Sequence, residues 1–205
     1  MGRHASALSA RGYSVIGVER DADVIAKARA LGTGPTYENV DIRDYRRAPG
    51  AFDVAIIMSQ SFGYFDAAKN LNVLRQLATG VREGGRVILD LWNADFFVAH
   101  DGERDLPGNG GIVRESKHVE NGRLFVYLHY PDGAEEAFEW QLFSPEQMDL
   151  MANSVGLRRL VMCADFDEKS LPYPVNPSVQ FVFERSHTPE SPNYLGHALE
   201  VSCNS

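Results

Sequence analysis

Residues 14–31 read SVIGVERDADVIAKARAL, and this stretch decides the fold. Val15, Ile16, Gly17 and Val18 form a short apolar run rich in β-branched residues, as expected of a strand covered on both faces in a parallel sheet. The run ends at Glu19. Asp21 then stands at a helix N-cap, and Val24, Ile25, Ala28 and Leu31 repeat at helical spacing behind it. This order puts a carboxylate at the carboxyl tip of a parallel strand, where open α/β sheets bind their ligands. An acid there can accept hydrogen bonds from both hydroxyls of a ribose. Glu19 is therefore the expected anchor of a nucleoside-containing cofactor.

Working outward, residues 1–11 carry Ala5, Leu8 and Ala10 on one helix face, with Gly12 as the expected C′ cap. The chain thus starts at, or inside, a helix. A nucleotide-binding α/β domain normally opens with a strand and a Gly-rich turn before that helix; here only Gly2 remains of the turn. Downstream, residues 32–35 (GTGP) break the chain. A weak short strand over 37–40 leads to a loop at 41–45. Residues 52–58, FDVAIIM, make the strongest strand of the chain. They run into a polar, Gly-bearing loop over 59–65, SQSFGYF, where Gly63 permits close backbone approach and a pocket role is expected. Asp66 reads as the N-cap of a helix over 67–81, residues 83–85 (EGG) as a turn, and 86–91 (RVILDL) as a buried strand ending at Trp92 and Asn93. The order α-β-α-β-β-α-β fits a parallel, doubly wound sheet.

The second half changes character. Residues 101–111 read as a Gly- and Pro-containing mobile loop. Residues 112–119 and 124–130 read as strands, with Asn121-Gly122 as the hairpin turn between them. A third extended piece covers 138–143. Ser144-Pro145-Glu146 opens a helix with proline at its first position, which stops at Gly156. Strands are expected over 157–164 and 179–184, joined through a proline-bearing loop at 171–177. Residues 186–205 read as a loosely attached tail.

The chain has 205 residues and a net charge of −8, enough for one α/β domain and a poor match to nucleic-acid phosphates. Cys163 and Cys203, its two cysteines, form no disulfide framework and have no metal-ligand spacing, so reduced thiols and a cytoplasmic location are expected. No apolar run spans a bilayer, no signal peptide is evident, and no metal site is expected. His100, His118 and His129 are conceivable general bases, but none has a partner at a telling spacing. Tyr130 and Trp140 could hold a substrate or simply pack across strands.

In order and spacing, the segments GRHASALSARGYSVIGVE, VDIRDY, FDVAIIMSQSFGYF, VREGGRVILDLWN, FSPEQMDLMANSVGL and SVQFVFER resemble the class I S-adenosylmethionine-dependent methyltransferases, specifically small bacterial ones with a three-stranded lid after the fifth strand. The resemblance covers residues 2–185. It implies a Rossmann-like, mostly parallel sheet with a C-terminal antiparallel strand, plus a small antiparallel β lid. The core would comprise 1–100 and 144–185, the lid 101–143, and the tail 186–205. It also implies S-adenosylmethionine as cofactor. Gly2 would match the last glycine of the cofactor turn and Glu19 the ribose acid. Asp41 and Ile42 would contact the adenine, while Met58, Ser59 and Gln60 would face the methionine part. Tyr64, Trp92, Asn93 and Tyr130 are the expected substrate-side residues.

The family's first strand and its acid-x-Gly-x-Gly turn would lie upstream of Met1. That strand is central in the family's sheet, between those matching 14–18 and 52–58. Each buried orphan polar group costs about 1–3 kcal/mol, and several together rival a domain's net stability of about 5–15 kcal/mol. The chain is therefore expected to be a shortened methyltransferase, made by a late start or a deletion, that binds cofactor poorly and acts on a small-molecule N, O or carboxyl nucleophile. Two alternatives stand beside it. One is a non-catalytic remnant or interaction protein whose open sheet pairs with another chain. The other is a nicotinamide oxidoreductase, disfavoured by the absence of GxGxxG and by the reversed last strand.

Overall fold

The computed structural model describes residues 2–32, 34–108 and 110–186; most of the expected tail lies outside them. The chain begins with α1 (Arg3–Ser9), β1 (Ile16–Glu19), α2 (Ala22–Ala30) and β2 (Thr36–Asn39). Asp21 caps α2 as expected, its Oδ1 accepting from the backbone N–H groups of Asp23 and Val24 at 2.8 and 3.2 Å. Ile25 and Ala28 supply the buried face. β1 and β2 pair in parallel, from Ile16 with Thr36 to Glu19 with Asn39.

A second sheet holds the main core. Its order is β3-β4-β10-β9, formed by β3 (Phe52–Ile57), β4 (Val81–Trp92), β9 (Leu157–Cys163) and β10 (Ser178–Arg185). β3 and β4 run parallel through α3 (Ala67–Gly80), and β10 lies antiparallel to both β4 and β9. The alternation of strand side chains explains the core. Val87, Leu89 and Leu91 of β4 face Phe183, Phe181 and Val179 of β10 in register, and all six are at most 4% exposed. Leu74 and Ala78 of α3, with Met148 and Ala152 of α5 (Pro145–Asn153), pack in the same cluster. Ser144 starts α5 with a full capping box to Gln147 and proline in the first turn.

Among the described residues the two sheets share no paired strands, so the single mostly parallel sheet is in two pieces. One edge of β3 pairs with β4, and Val54 and Ile56 of β3 remain 47% and 37% exposed. The EGG segment at 83–85 is not a separate turn. It lies inside β4, where the register with β3 shifts and Gly84 takes φ 68°.

The lid has four strands rather than three: β5 (Gly102–Gly108), β6 (Gly111–Glu120), β7 (Arg123–His129) and β8 (Glu135–Gln141), in that order and antiparallel throughout. Residues expected as a mobile loop form β5, since the paired edge of β6 recruits them despite their Gly and Pro content. A short helix, α4 (Ala94–Ala99), also unexpected, slides beneath the lid. Phe97 of α4 joins Leu124, Val126, Trp140 and Leu142 in a second core.

Candidate functional site

Glu19 is the last residue of β1, and Asn39, its register partner on β2, donates from Nδ2 to the carbonyls of Glu19 and Arg20 at 3.1 and 2.8 Å. The strand tip is thereby fixed. Glu19 Oε1 accepts from the Asp21 N–H at 3.0 Å; among the described residues Oε2 accepts no hydrogen bond. Glu19 lines a hollow of about 140 Å³ together with Gly2, Gly17, Ile25 and Tyr37. Gly2 sits at φ 64°, and a Cβ there would lie 2.6 Å from Tyr37 Oη and 2.9 Å from Ala28 Cβ, so only glycine fits. Tyr37 Oη is buried without a hydrogen-bond partner. A carboxylate oxygen and a side-chain-free backbone approach fit a sugar diol. The hollow holds a fragment of that size, below the roughly 300 Å³ where whole-ligand pockets begin.

Asp41 follows β2. Its Oδ1 accepts from the backbone N–H and Nε of Arg43, both at 2.9 Å, and its Oδ2 accepts from Nη2 at 2.7 Å. These bonds, the side-chain one foremost, pull the Asp41 carboxyl down to about 2. The Arg43 guanidinium also lies 4.8 Å over the Phe65 ring, and its carbonyl accepts from Gln76 Nε2 at 2.9 Å. Asp41 is thus held by its own neighbour. Ile42 packs against the edge of the main core.

At the carboxyl tip of β3 come Met58, Ser59 and Gln60. Ser59 and Gln60 both have φ 55°, a conformation that costs non-glycine residues energy and needs support. The support is Asp90 of β4: its Oδ2 accepts from the Ser59 N–H and from Gln60 Nε2, each at 2.9 Å, while its carbonyl accepts from the Gln60 N–H at 3.1 Å. From the start of α1, Arg3 Nη2 donates to Ser59 Oγ at 3.1 Å. The structure therefore brings Gly2 and Glu19 to one hollow and links the start of α1 to Ser59 through Arg3.

The following loop joins core to lid. Gln141 of β8 donates its N–H to the Gly63 carbonyl at 2.7 Å. Asn70 of α3, fully buried, donates from Nδ2 to Phe65 O at 2.8 Å and to Gln141 Oε1 at 2.7 Å. Tyr64, expected on the substrate side, lies 5.0 Å from the Trp140 ring, and burial raises its hydroxyl pKa. Trp92 packs edge-on against Phe97 and Trp140 at 5.1 and 6.0 Å, and its buried Nε1 has no hydrogen-bond partner. Asn93 caps α4, and its Nδ2 donates to the carbonyls of Tyr173 and Asn176, both at 2.9 Å. Tyr64, Trp92 and Asn93 thus stand where the second core meets the strand tips.

Tyr130 does not join them. It follows the far end of β7, away from the Arg123–Gln141 register pair beside Gly63, and donates to Glu136 at 2.8 Å. The three histidines are engaged elsewhere. His100 stacks on Phe96, His118 on Phe125 and Tyr127, and His129 pairs with Glu135. Cys163 is buried, which pushes its thiol pKa up. Sequence reasoning missed Arg3, Arg43, Asp90 and Gln180. For the last two a signal existed: a single polar residue inside each of the apolar runs RVILDLW and SVQFVF.

Residues 1–85 match the family model described as a methyltransferase domain. No curated protein matches the sequence. Among solved structures, the CcbJ methyltransferase from Streptomyces caelestis is similar with a TM-score of 0.78 at 17% identity, covering 90% of this chain and 80% of that one. CalS10 from Micromonospora echinaspora, an amino pentose methyltransferase solved with SAM bound, gives 0.68 at 16%, covering 90% and 79%. The sugar N-methyltransferase KedS8 from a Streptoalloteichus species gives 0.65 at 19%, covering 90% and 76%.

Proposed function

We propose that this chain, which has the class I S-adenosylmethionine-dependent methyltransferase fold and carries that domain's family match over residues 1–85, transfers a methyl group from S-adenosylmethionine to a nitrogen, oxygen or carboxyl nucleophile of a small molecule. The observation that carries the reading is the hollow that Gly2 and Glu19 line at the tip of β1, tied through Arg3 to Ser59 at the tip of β3. Names of similar structures, an amino pentose and a sugar N-methyltransferase, support a small polar acceptor, with nitrogen as the first nucleophile to test. The net charge of −8 argues in the same direction, against nucleic acid.

When bound, the cofactor supplies an electrophilic methyl on a sulfonium, a good leaving group. The protein's task is then mostly alignment, which can contribute about 7–11 kcal/mol. Glu19 accepts from the ribose hydroxyls through Oε2. Ile42 offers an apolar edge to the adenine, and Asp41 meets its amine only by sharing its oxygens with Arg43. Met58, Ser59 and Gln60 frame the methionine part. Tyr64 and Trp92 border the acceptor and keep water out. Asn93 anchors this wall. A nucleophile that arrives unprotonated needs no base.

Cofactor affinity in this reading is low, because the walls of the site belong to two sheets that share no strand pairing. Calorimetric titration with S-adenosylmethionine tests both halves. Saturable one-to-one binding in the high-micromolar to millimolar range is the expected result. A flat titration sinks the methyltransferase reading, and low-micromolar binding sinks the claim of weakness. A second reading, a protein whose sheet pairs with another chain, draws on exposed Val54 and Ile56 of β3; a mass above the monomer in size exclusion favours it.

A further inference from the structure

Asp90 and Gln180 are register partners on β4 and β10, and both are buried, 4% and 2% exposed. Gln180 Nε2 donates to Asp90 Oδ1 at 2.8 Å and to Ser178 Oγ at 3.2 Å. On one side Asp90 holds Ser59 and Gln60. On the other, Gln180 Oε1 accepts from the Phe166 N–H at 3.1 Å. Asp165 and Phe166 have φ 57° and 58°. Two consecutive pairs of left-handed, non-glycine residues are thus pinned by the two ends of one buried bridge. Such conformations persist only where their surroundings over-determine them, and they gather at functional sites.

Topology puts both pairs at one end of the sheet. β9 is antiparallel to β10, which is antiparallel to β4, which is parallel to β3. The loop after β9 therefore leaves at the same end as the tips of β3 and β4. Asn93 fastens it there through Tyr173, Asn176 and Pro177. The loop presents Phe166 and Tyr173 to solvent, 62% and 61% exposed.

We propose that residues 165–177 form the acceptor-side wall of the mouth, and that Asp90 and Gln180 are positioning residues that register this wall against the Ser59–Gln60 tip. The inference rests on the methyltransferase reading. The bridge has a direction. Asp90 accepts at both oxygens, so Gln180 must present Nε2 to it, which leaves Oε1 for Phe166. Asp90→Asn turns one acceptor into a donor facing another donor. Turning Gln180 over to accept it takes Oε1 from Phe166. Gln180→Glu removes the donor and sets two carboxyl groups together. In the double variant the amide at position 90 donates, and the carboxylate at position 180 accepts from it and from Phe166. The chain of bonds is rebuilt in the opposite sense.

The test is hydrogen exchange at the Ser59 and Phe166 amides of the chain without ligand, followed by S-adenosylmethionine titration. Each single variant is expected to speed exchange at both amides by about tenfold and to weaken cofactor binding by a similar factor. The double D90N/Q180E is expected to return both readouts to within about threefold of the native chain. Should Asp90→Asn speed only Ser59, or the double variant fail to recover either readout, the bridge is overturned. If neither single variant folds, a folded double supports the bridge and an unfolded one overturns it. Failure of the methyltransferase reading is distinguishable: the native titration is flat while the exchange pattern still follows the swap.

Discussion

Glu19 and Gly2 line one hollow, although one ends β1 and the other opens α1. In the proposed function, the Glu19 oxygen not bonded to Asp21 is the one that takes a sugar hydroxyl. Glu19→Gln keeps the acceptor for Asp21 and removes the charge. S-adenosylmethionine affinity is expected to fall about tenfold or more, with the melting temperature within about 2 °C of native. Calorimetry beside a thermal melt reads both. An unchanged dissociation constant removes Glu19 from the site.

Much of this hollow was legible from residues 14–31, because an apolar run followed by an acid and an N-cap leaves few alternatives. Caps were legible for the same local reason: Asp21, Asp66 and Ser144 each accept from N–H groups of their own helix. What escaped depends on distant partners. β5 holds Gly and Pro and gains strand conformation from β6. α4 is six residues long, too short for a helical period to declare itself. Asp90 and Gln180 looked like interruptions of apolar strands, and only pairing across β4 and β10 reveals them as partners. Asp41 was legible as a loop acid, but not its capture by Arg43.

That capture has a pH signature. The Asp41 carboxyl is held at about 2, against an ordinary value of 3.8. A carboxyl whose folded pKa is depressed adds stability that is complete above the ordinary value and is lost as pH falls through the folded one. Arg43→Leu is therefore expected to melt below the native chain near neutrality. The gap should close between 3.8 and about 2. Melting temperatures of both proteins across that range decide it; a gap that persists at the acid end means the loss comes from the Phe65 contact instead.

Asn70 ties α3 to the loop and the lid. Its side chain donates to Phe65 O and Gln141 Oε1 and accepts from the Phe65 N–H at 3.3 Å. Asn70→Ala strands those groups in a site closed to water, and is expected to cost about 2–3 kcal/mol in urea unfolding at neutral pH. Asn70→Asp should cost more, since it sets a carboxylate against two oxygens. Equal losses for the two variants would point to the cavity rather than the hydrogen bonds.

Gly63 is where the backbone of the lid strand bonds to the core loop. It has φ 105°, and a Cβ would come within 2.7 Å of the Gln141 carbonyl oxygen, on the strand whose N–H already donates to Gly63 O. Both the left-handed backbone and the contact exclude a methyl group, and backbone cannot swing aside as a side chain can. Gly63→Ala is expected to destabilise the chain by about 2–3 kcal/mol. Because Trp140 precedes Gln141 and packs on Tyr64, tryptophan fluorescence should change in the native baseline as well as in the unfolding midpoint. A midpoint shift with an unaltered native spectrum would mean the loop yields and β8 stays in place, so the strand would not be held by this contact.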